Sequence, residues 1–129
     1  AGAIPEALQV FARAAVDKAL KDPLLLDCLL GEYLTEPKAQ VWFESQAARE
    51  LSWPQAVVLD RRTRMMHDAH HVFINGESFK ASGRDAQLLR RLSNDRHLDA
   101  RAVGQLSSPA LTLLSDWCDD GWMHPQETI

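Results

Sequence analysis

Four residues in one short window, His67, Asp68, His70 and His71, offer imidazole nitrogens and a carboxylate of the kind that borderline divalent metals accept. On an extended strand His70 and His71 point to opposite faces, so the two cannot share one ion without a bend. His67 and His70 would converge only on a helix, and the flanking residues read as strand and turn. Ordinary turn and strand histidines are therefore expected, with a small metal-dependent hydrolase around His67 as a lesser alternative. The two cysteines offer no better start. Cys28 lies in the most apolar stretch of the chain and Cys118 beside Trp117 on an apolar stripe, so both thiols are expected to be inert. Neither belongs to a Cys-x-x-Cys pair, which favours a reduced, cytoplasmic setting. No serine or cysteine stands with a spaced base and orienting acid, and the glycines are too scattered to cradle a phosphate. On residues alone the expectation is a non-catalytic module with no catalytic, metal or cofactor-binding residue of its own.

The elements around these residues are easier to read. At 129 residues, 46% hydrophobic and 25% charged, the chain is long enough for one domain with a helical appendage. Its apolar runs are too short to span a membrane. The formal charge of -4 is unevenly spread. Residues 1–60 carry five basic and nine acidic groups, 61–96 carry eight and four, and the rest one and five, so the middle is the basic part.

Leu8, Phe11, Ala12, Ala15, Val16 and Ala19 recur at the spacing that gives a first helix one apolar face. Asp22 before Pro23 reads as the N-cap of a second. That second helix carries Leu24, Leu25, Leu26, Cys28, Leu29, Leu30, Tyr33 and Leu34, with Asp27, Gly31 and Glu32 as a narrow wet side. A two-helix hairpin cannot bury so many apolar groups. They pack either against the rest of the chain or into a subunit or interdomain interface, and Leu25, Leu26, Leu29, Leu30 and Tyr33 are the residues expected there.

Residues 45–56 read as a linker between this helical segment, 1–44, and a second domain, 57–129, with Trp42 and Phe43 able to dock onto a neighbour. Strands are expected at Ala56 to Leu59 and near Met65 and Met66. Asn75-Gly76 between two alternating runs predicts a tight hairpin that places Val72, Ile74 and Phe79 on the core face. Phe73 then points the other way and needs separate cover. Ser82 and Asp85 have capping-box spacing before a helix with the stripe Ala86, Leu89 and Leu92 and a wet side of Arg84, Arg90, Arg91 and Arg96. Asp99 caps a short helix, Ser108-Pro109 opens another, and Trp122 and Met123 begin a last strand. The order matches a winged helix-turn-helix, so the expected fold class is α+β, mainly helical.

Such a layout invites a nucleic-acid reading. The recognition helix, about 109–120, carries Asp116, Asp119 and Asp120 and no Lys or Arg, which opposes contact with phosphates. DNA is therefore an unlikely partner. A basic docking patch is expected instead from Arg61, Arg62, Arg64, Lys80, Arg84, Arg90 and Arg91, and an independent nucleic-acid-binding winged helix using these arginines is the alternative function.

Several segments resemble a known family. Gly31-Glu-Tyr-Leu-Thr-Glu-Pro-Lys38 with Val41-Trp-Phe43 resembles the region after the catalytic domain of bacterial JmjC-type, cupin-like ribosomal oxygenases. His71-Val-Phe-Ile-Asn-Gly-Glu-Ser-Phe79, Ser82-Gly-Arg-Asp85 and Leu88-Leu-Arg-Arg-Leu92 resemble their C-terminal winged helix. The likeness covers most of residues 5–124. It implies a parent with an N-terminal double-stranded β-helix domain that holds Fe(II) through a His-x-Asp pair and a distant His, a helical dimerisation region and a winged helix. It also implies hydroxylation of a ribosomal protein, an arginine in the best-known bacterial type, with 2-oxoglutarate and oxygen. The iron-bearing domain is expected to be missing here and its His-x-Asp pair absent, so no Fe(II) or 2-oxoglutarate ligand is carried onto any residue. The resemblance thus points to the C-terminal part of a longer dioxygenase, non-catalytic alone, with a second copy, the missing catalytic domain and a ribosomal protein as partners.

Overall fold

The computed structural model describes residues 2–38, 41–44 and 53–126. Two helices lead: α1 (Glu6–Lys21) and α2 (Pro23–Thr35). There follow β1 (Ala56–Leu59), β2 (Met65–His67), β3 (His71–Ile74), β4 (Glu77–Lys80), α3 (Gly83–Asp95), β5 (His97–Leu98), α4 (Ala100–Val103), α5 (Ser108–Asp119) and β6 (Met123–Gln126). The strands form two antiparallel three-stranded sheets, β5-β1-β6 and β2-β3-β4. The α+β class, with a helical segment leading into a winged helix, is the one expected. Residues 45–52 of the expected linker, and the side chain of Ala19, lie outside the described residues.

The core sits where the alternating and helical stripes meet. Val57, Leu59, Leu98 and Met123 from one sheet and Val72 and Ile74 from the other close over Leu89 and Leu92 of α3 and Ala110, Leu114, Trp117 and Cys118 of α5. Asn75 and Gly76 both take positive φ, as a two-residue hairpin turn requires, and Val72 pairs with Phe79 and Ile74 with Glu77. The Phe79 ring meets Trp117 edge to face at 5.6 Å.

Side-chain caps set the helix starts, with two departures from expectation. Asp22 accepts from the Leu24 and Leu25 amides, and Asp99 from that of Ala102. Ser82 makes no side-chain cap on α3, so the Ser82–Asp85 box is not formed. Asp85 instead receives the Ser107 amide at 2.9 Å and the Ser107 hydroxyl, and Ser107 is the cap of α5, which opens at Ser108-Pro109 as expected. The tertiary bond to α5 thus replaces the local reciprocal one. Arg96 also leaves the wet side of α3. It ends the helix at φ 66° and its Nη2 donates to the carbonyls of Asp60 and Thr63 at 2.9 and 3.0 Å.

Candidate interaction surface

The second helix packs with the face opposite to the one its leucines would suggest. Cys28, Gly31 and Thr35, spaced three and four apart, face the β2-β3-β4 sheet. A Cβ on Gly31 would lie 2.4 Å from ring carbons of Phe73, so the ring rests against bare backbone, and Phe73 is 3% exposed. Thr35 is fully buried; its hydroxyl donates to the Gly31 carbonyl and accepts from the Gly76 amide at 3.0 Å, tying the end of α2 to the hairpin tip. Ser78 donates to Glu32 at 3.1 Å. The expected wet side is thereby corrected: Asp27 remains exposed, while Gly31 and Glu32 belong to the inner face. Glycine adds nothing to an apolar stripe, so a hydrophobic pattern misses a helix that docks through the absence of a side chain. The spacing of Cys28, Gly31 and Thr35 was the available signal.

The leucines consequently face outward. Leu26, Leu29, Leu30, Leu34 and Tyr33 are exposed, Tyr33 at 75%, and only Leu25 is half-buried. The stripe of α1 is open too, with Leu8, Val16 and Phe11 exposed and Phe11 at 71%. Of the thirteen large hydrophobic residues exposed among the described residues, eleven lie between Ile4 and Leu34. This segregation separates the surface from the scattered apolar residues of ordinary exteriors.

The basic residues divide into two ends. Arg61, Arg62 and Arg64 lie at the turn after β1, and Arg62 is engaged: its Nε donates to Asp60 at 2.9 Å, its Nη1 to the Trp42 carbonyl, and its guanidinium stands over the Phe43 ring. Phe43 in turn meets Trp122 edge to face, so it docks as expected, while Trp42 is 77% exposed. Asp60 also accepts from His124 at 2.8 Å, and Arg62 beside it holds its carboxyl well below the ordinary range. Sequence reading missed this Asp60–Arg62–His124 cluster because His124 joins the neighbouring Asp60 and Arg62 from 64 positions away. Lys80 and Arg90 meet at the other end, along one cleft, with Arg84 and Arg91 exposed on α3.

The histidine window is dispersed by its hydrogen bonds. The Asp68 Oδ1 accepts from the amides of His70 and His71 at 2.8 and 2.7 Å; burial would raise its carboxyl, and those donors together with the His71 ring hold it below the usual range. His67 Nε2 lies 3.3 Å from Asn94 Oδ1. His71 is buried with Nε2 3.2 Å from Cys28 Sγ, so Cys28 faces an imidazole instead of an apolar wall. One expectation about sequence is corrected outright: His97-Leu98-Asp99 does have His-x-Asp spacing. Its chemistry is already spent, since Asp99 caps α4, His97 Nδ1 lies 3.0 Å from the Asp95 carbonyl, and Leu98 is in the core. An iron site needs two imidazoles and a carboxylate converging with positions left open. No such group of three or more ligands exists among the described residues, so these residues do not fit Fe(II).

A ROXA-like winged-helix family model matches residues 18–124. The chain belongs to the ROXA-like winged-helix family. Among solved structures it is similar to E. coli ycfD, with a TM-score of 0.69 and 14% identity over 97% of this chain and 36% of that one. A second similar structure is described as YcfD, a ribosomal oxygenase from E. coli, with a TM-score of 0.67 at 14% identity, covering 98% of this chain and 37% of that one. A third is the same ribosomal oxygenase in complex with cobalt and 2-oxoglutarate, with a TM-score of 0.67, 16% identity and the same coverage. Identity this low carries the fold, and the chain spans little more than a third of the length of these proteins. No curated protein matches it. The expected kinship with ribosomal oxygenases is thereby borne out as family and fold. Among the described residues no helix is long and apolar enough to cross a membrane.

Within this ROXA-like domain the two thiols differ. Burial pushes Cys118 up to about 12, whereas Cys28, also raised by burial, is only half-covered. A small disulfide reagent at neutral pH is expected to label Cys28 alone in the folded chain, and Cys118 only after denaturation. Peptide mass spectrometry reads this directly; labelling of Cys118 first would contradict the packing.

Proposed function

We propose that this chain is the non-catalytic dimerisation and winged-helix module of an Fe(II)- and 2-oxoglutarate-dependent ribosomal-protein hydroxylase, with α1 and α2 seated on a second copy and the winged helix supporting the protein-substrate cleft. The observation that carries the proposal is the orientation of α2. Its small and polar side chains are consumed by the sheet, and its leucines and the apolar stripe of α1 both stand exposed. A soluble domain rarely leaves so much clustered apolar surface uncovered, and a self-complementary patch is the commonest way to cover it. Fe(II), 2-oxoglutarate and the ribosomal protein belong in this reading to a catalytic domain beyond these residues.

The exposed carboxylates of Asp116 and Asp119 on α5 and of Asp120 at its C-cap disfavour nucleic acid as the main partner. Asp120 is itself pushed up by burial and by its two acidic neighbours, so the face already repels negative charge. Phosphate contacts made by the arginines of 61–96 would weaken steeply with salt, which a titration with duplex DNA and RNA reads.

Light scattering across micromolar concentrations tests the proposal. A dimer is expected, and Leu29→Asp with Tyr33→Asp is expected to weaken it about 30-fold or more, the effect of losing a central anchor. Both positions face solvent in the single chain, so the variants fold. A monomer at every concentration would overturn the proposal.

A further inference from the structure

Cys28, His71 and Asp68 set a thiol, an imidazole and a carboxylate in series across the seam between α2 and the β2-β3-β4 sheet. The Cys28 Sγ lies 3.2 Å from His71 Nε2, and the other ring nitrogen, Nδ1, lies 3.5 Å from Asp68 Oδ1. The amides of His70 and His71 donate to that oxygen at 2.8 and 2.7 Å, which fixes the carboxylate beside the ring. A carboxylate opposite Nδ1 favours the neutral tautomer with its proton there, so Nε2 is left as an acceptor aimed at the sulfur. The His71 side chain is 4% exposed and its ring stands 5.9 Å from that of Phe73, so packing keeps this aim. Burial raises the Cys28 thiol, Glu32 of its own helix and Asp68 push the same way, and Ser78 and Lys80 of β4 oppose them. Cys28 therefore stands as a thiol whose proton has to leave as the sulfur reacts. The sulfur is within reach of solution, since Cys28 is only half-buried.

We propose that Cys28 is a site of reversible mixed-disulfide formation with small disulfides from solution, with His71 as its proton acceptor and Asp68 as the positioning residue. The Cys28 sulfur attacks one sulfur of the disulfide and its proton passes to His71 Nε2. The S–S bond of the reagent breaks, and the departing thiolate takes the proton from the ring. Cys28 is oxidised and the leaving sulfur is reduced to a thiol, so the disulfide is the whole of the oxidant. It comes from solution because the one other thiol, Cys118, is enclosed in the core. Cys28 shares the inner face of α2 with Gly31 and Thr35, so a group added to its sulfur wedges the helix off the sheet, and reduction seats it again. The proposal does not rest on dimerisation, since the reaction rate and the seating of α2 are properties of the single chain.

The test is the rate at which bis(2-hydroxyethyl) disulfide modifies Cys28 in the whole chain, native and in urea, followed by mass spectrometry. A half-buried thiol with no base beside it reacts more slowly folded than unfolded, whereas here the native chain is expected to react about 10-fold faster at neutral pH. With rising pH the native rate is expected to flatten before the unfolded one, which climbs to about pH 8.5. Asp68→Asn keeps an acceptor for the two amides and is expected to slow the native reaction about 10-fold with circular dichroism unchanged. His71→Gln is expected to remove the native advantage altogether, and because that side chain is buried and its loss can cost the fold, Asp68→Asn decides. In the modified chain, exchange of the Gly76 amide, which donates to Thr35, is expected to accelerate about 10-fold and to recover on reduction. A native rate at or below the unfolded one, an unchanged rate in Asp68→Asn, or unaltered Gly76 protection after modification would each overturn the proposal.

Discussion

Gly31→Ala is expected to detach α2 from the sheet while leaving the helix itself intact. Alanine favours the isolated helix by about 1 kcal/mol over glycine. In place, however, the new methyl meets three carbons of the Phe73 ring at 2.4–2.5 Å, and that ring is buried, so ring or helix must shift. Overpacking of this kind costs about 1–3 kcal/mol, and separation also re-exposes Phe73. The two opposing effects give a signature: helix content by circular dichroism is retained, yet the Gly76 amide loses the Thr35 hydroxyl and its hydrogen exchange accelerates about 10-fold or more. Unchanged protection at Gly76 would show that α2 is not held where described. The outward leucines depend on this seat, so the same substitution is expected to weaken self-association without touching a single interface residue.

The second large effect is expected at Asp60. This carboxylate is 7% exposed and receives the Arg62 amide and Nε at 2.9 Å and His124 Nε2 at 2.8 Å, joining the end of β1 to β6. Asp60→Ala leaves those donors without their acceptor, and a loss of about 2–4 kcal/mol is expected in urea unfolding. The pH dependence has a definite sign. Because the Arg62 hydrogen bond holds the folded carboxyl below its unfolded value, the contribution is fully present above about pH 4 and is lost progressively as pH falls further. The variant is therefore expected to show a shallower decline than the parent below pH 4. Parallel declines would mean that Asp60 titrates alike in both states.

How much of this was readable in advance follows the range of the interactions. The Asn75-Gly76 hairpin, the stripes of α3 and α5 and the Asp22 and Asp99 caps are local, and each appears where the residues place it. Met65 and Met66 mark β2 correctly, while the two-residue β5 is too short to announce itself. Failures came wherever a distant partner outbid a near one. Asp85 serves α5 instead of its own helix, Arg96 turns inward to two carbonyls, and Gly31 is chosen for a phenylalanine 42 positions away. The histidines illustrate the same point: their spacing advertises ligation, but the amides of His70 and His71 claim Asp68, and Cys28 faces His71. The outward set on α2 was visible as an excess of leucine; which side of the helix would touch the sheet was not.

Arg96 restricts what natural or designed variation can do at the end of α3. Its backbone occupies a region that disfavours side chains by roughly 1 kcal/mol, and the same residue reaches two carbonyls of the β1–β2 turn. Glycine would relax the backbone and abandon both acceptors; asparagine tolerates the angle but is too short to bridge them. Lysine spans the gap without the planar donor array. Libraries randomised at this position should therefore return arginine, the single compromise between torsional comfort and reach.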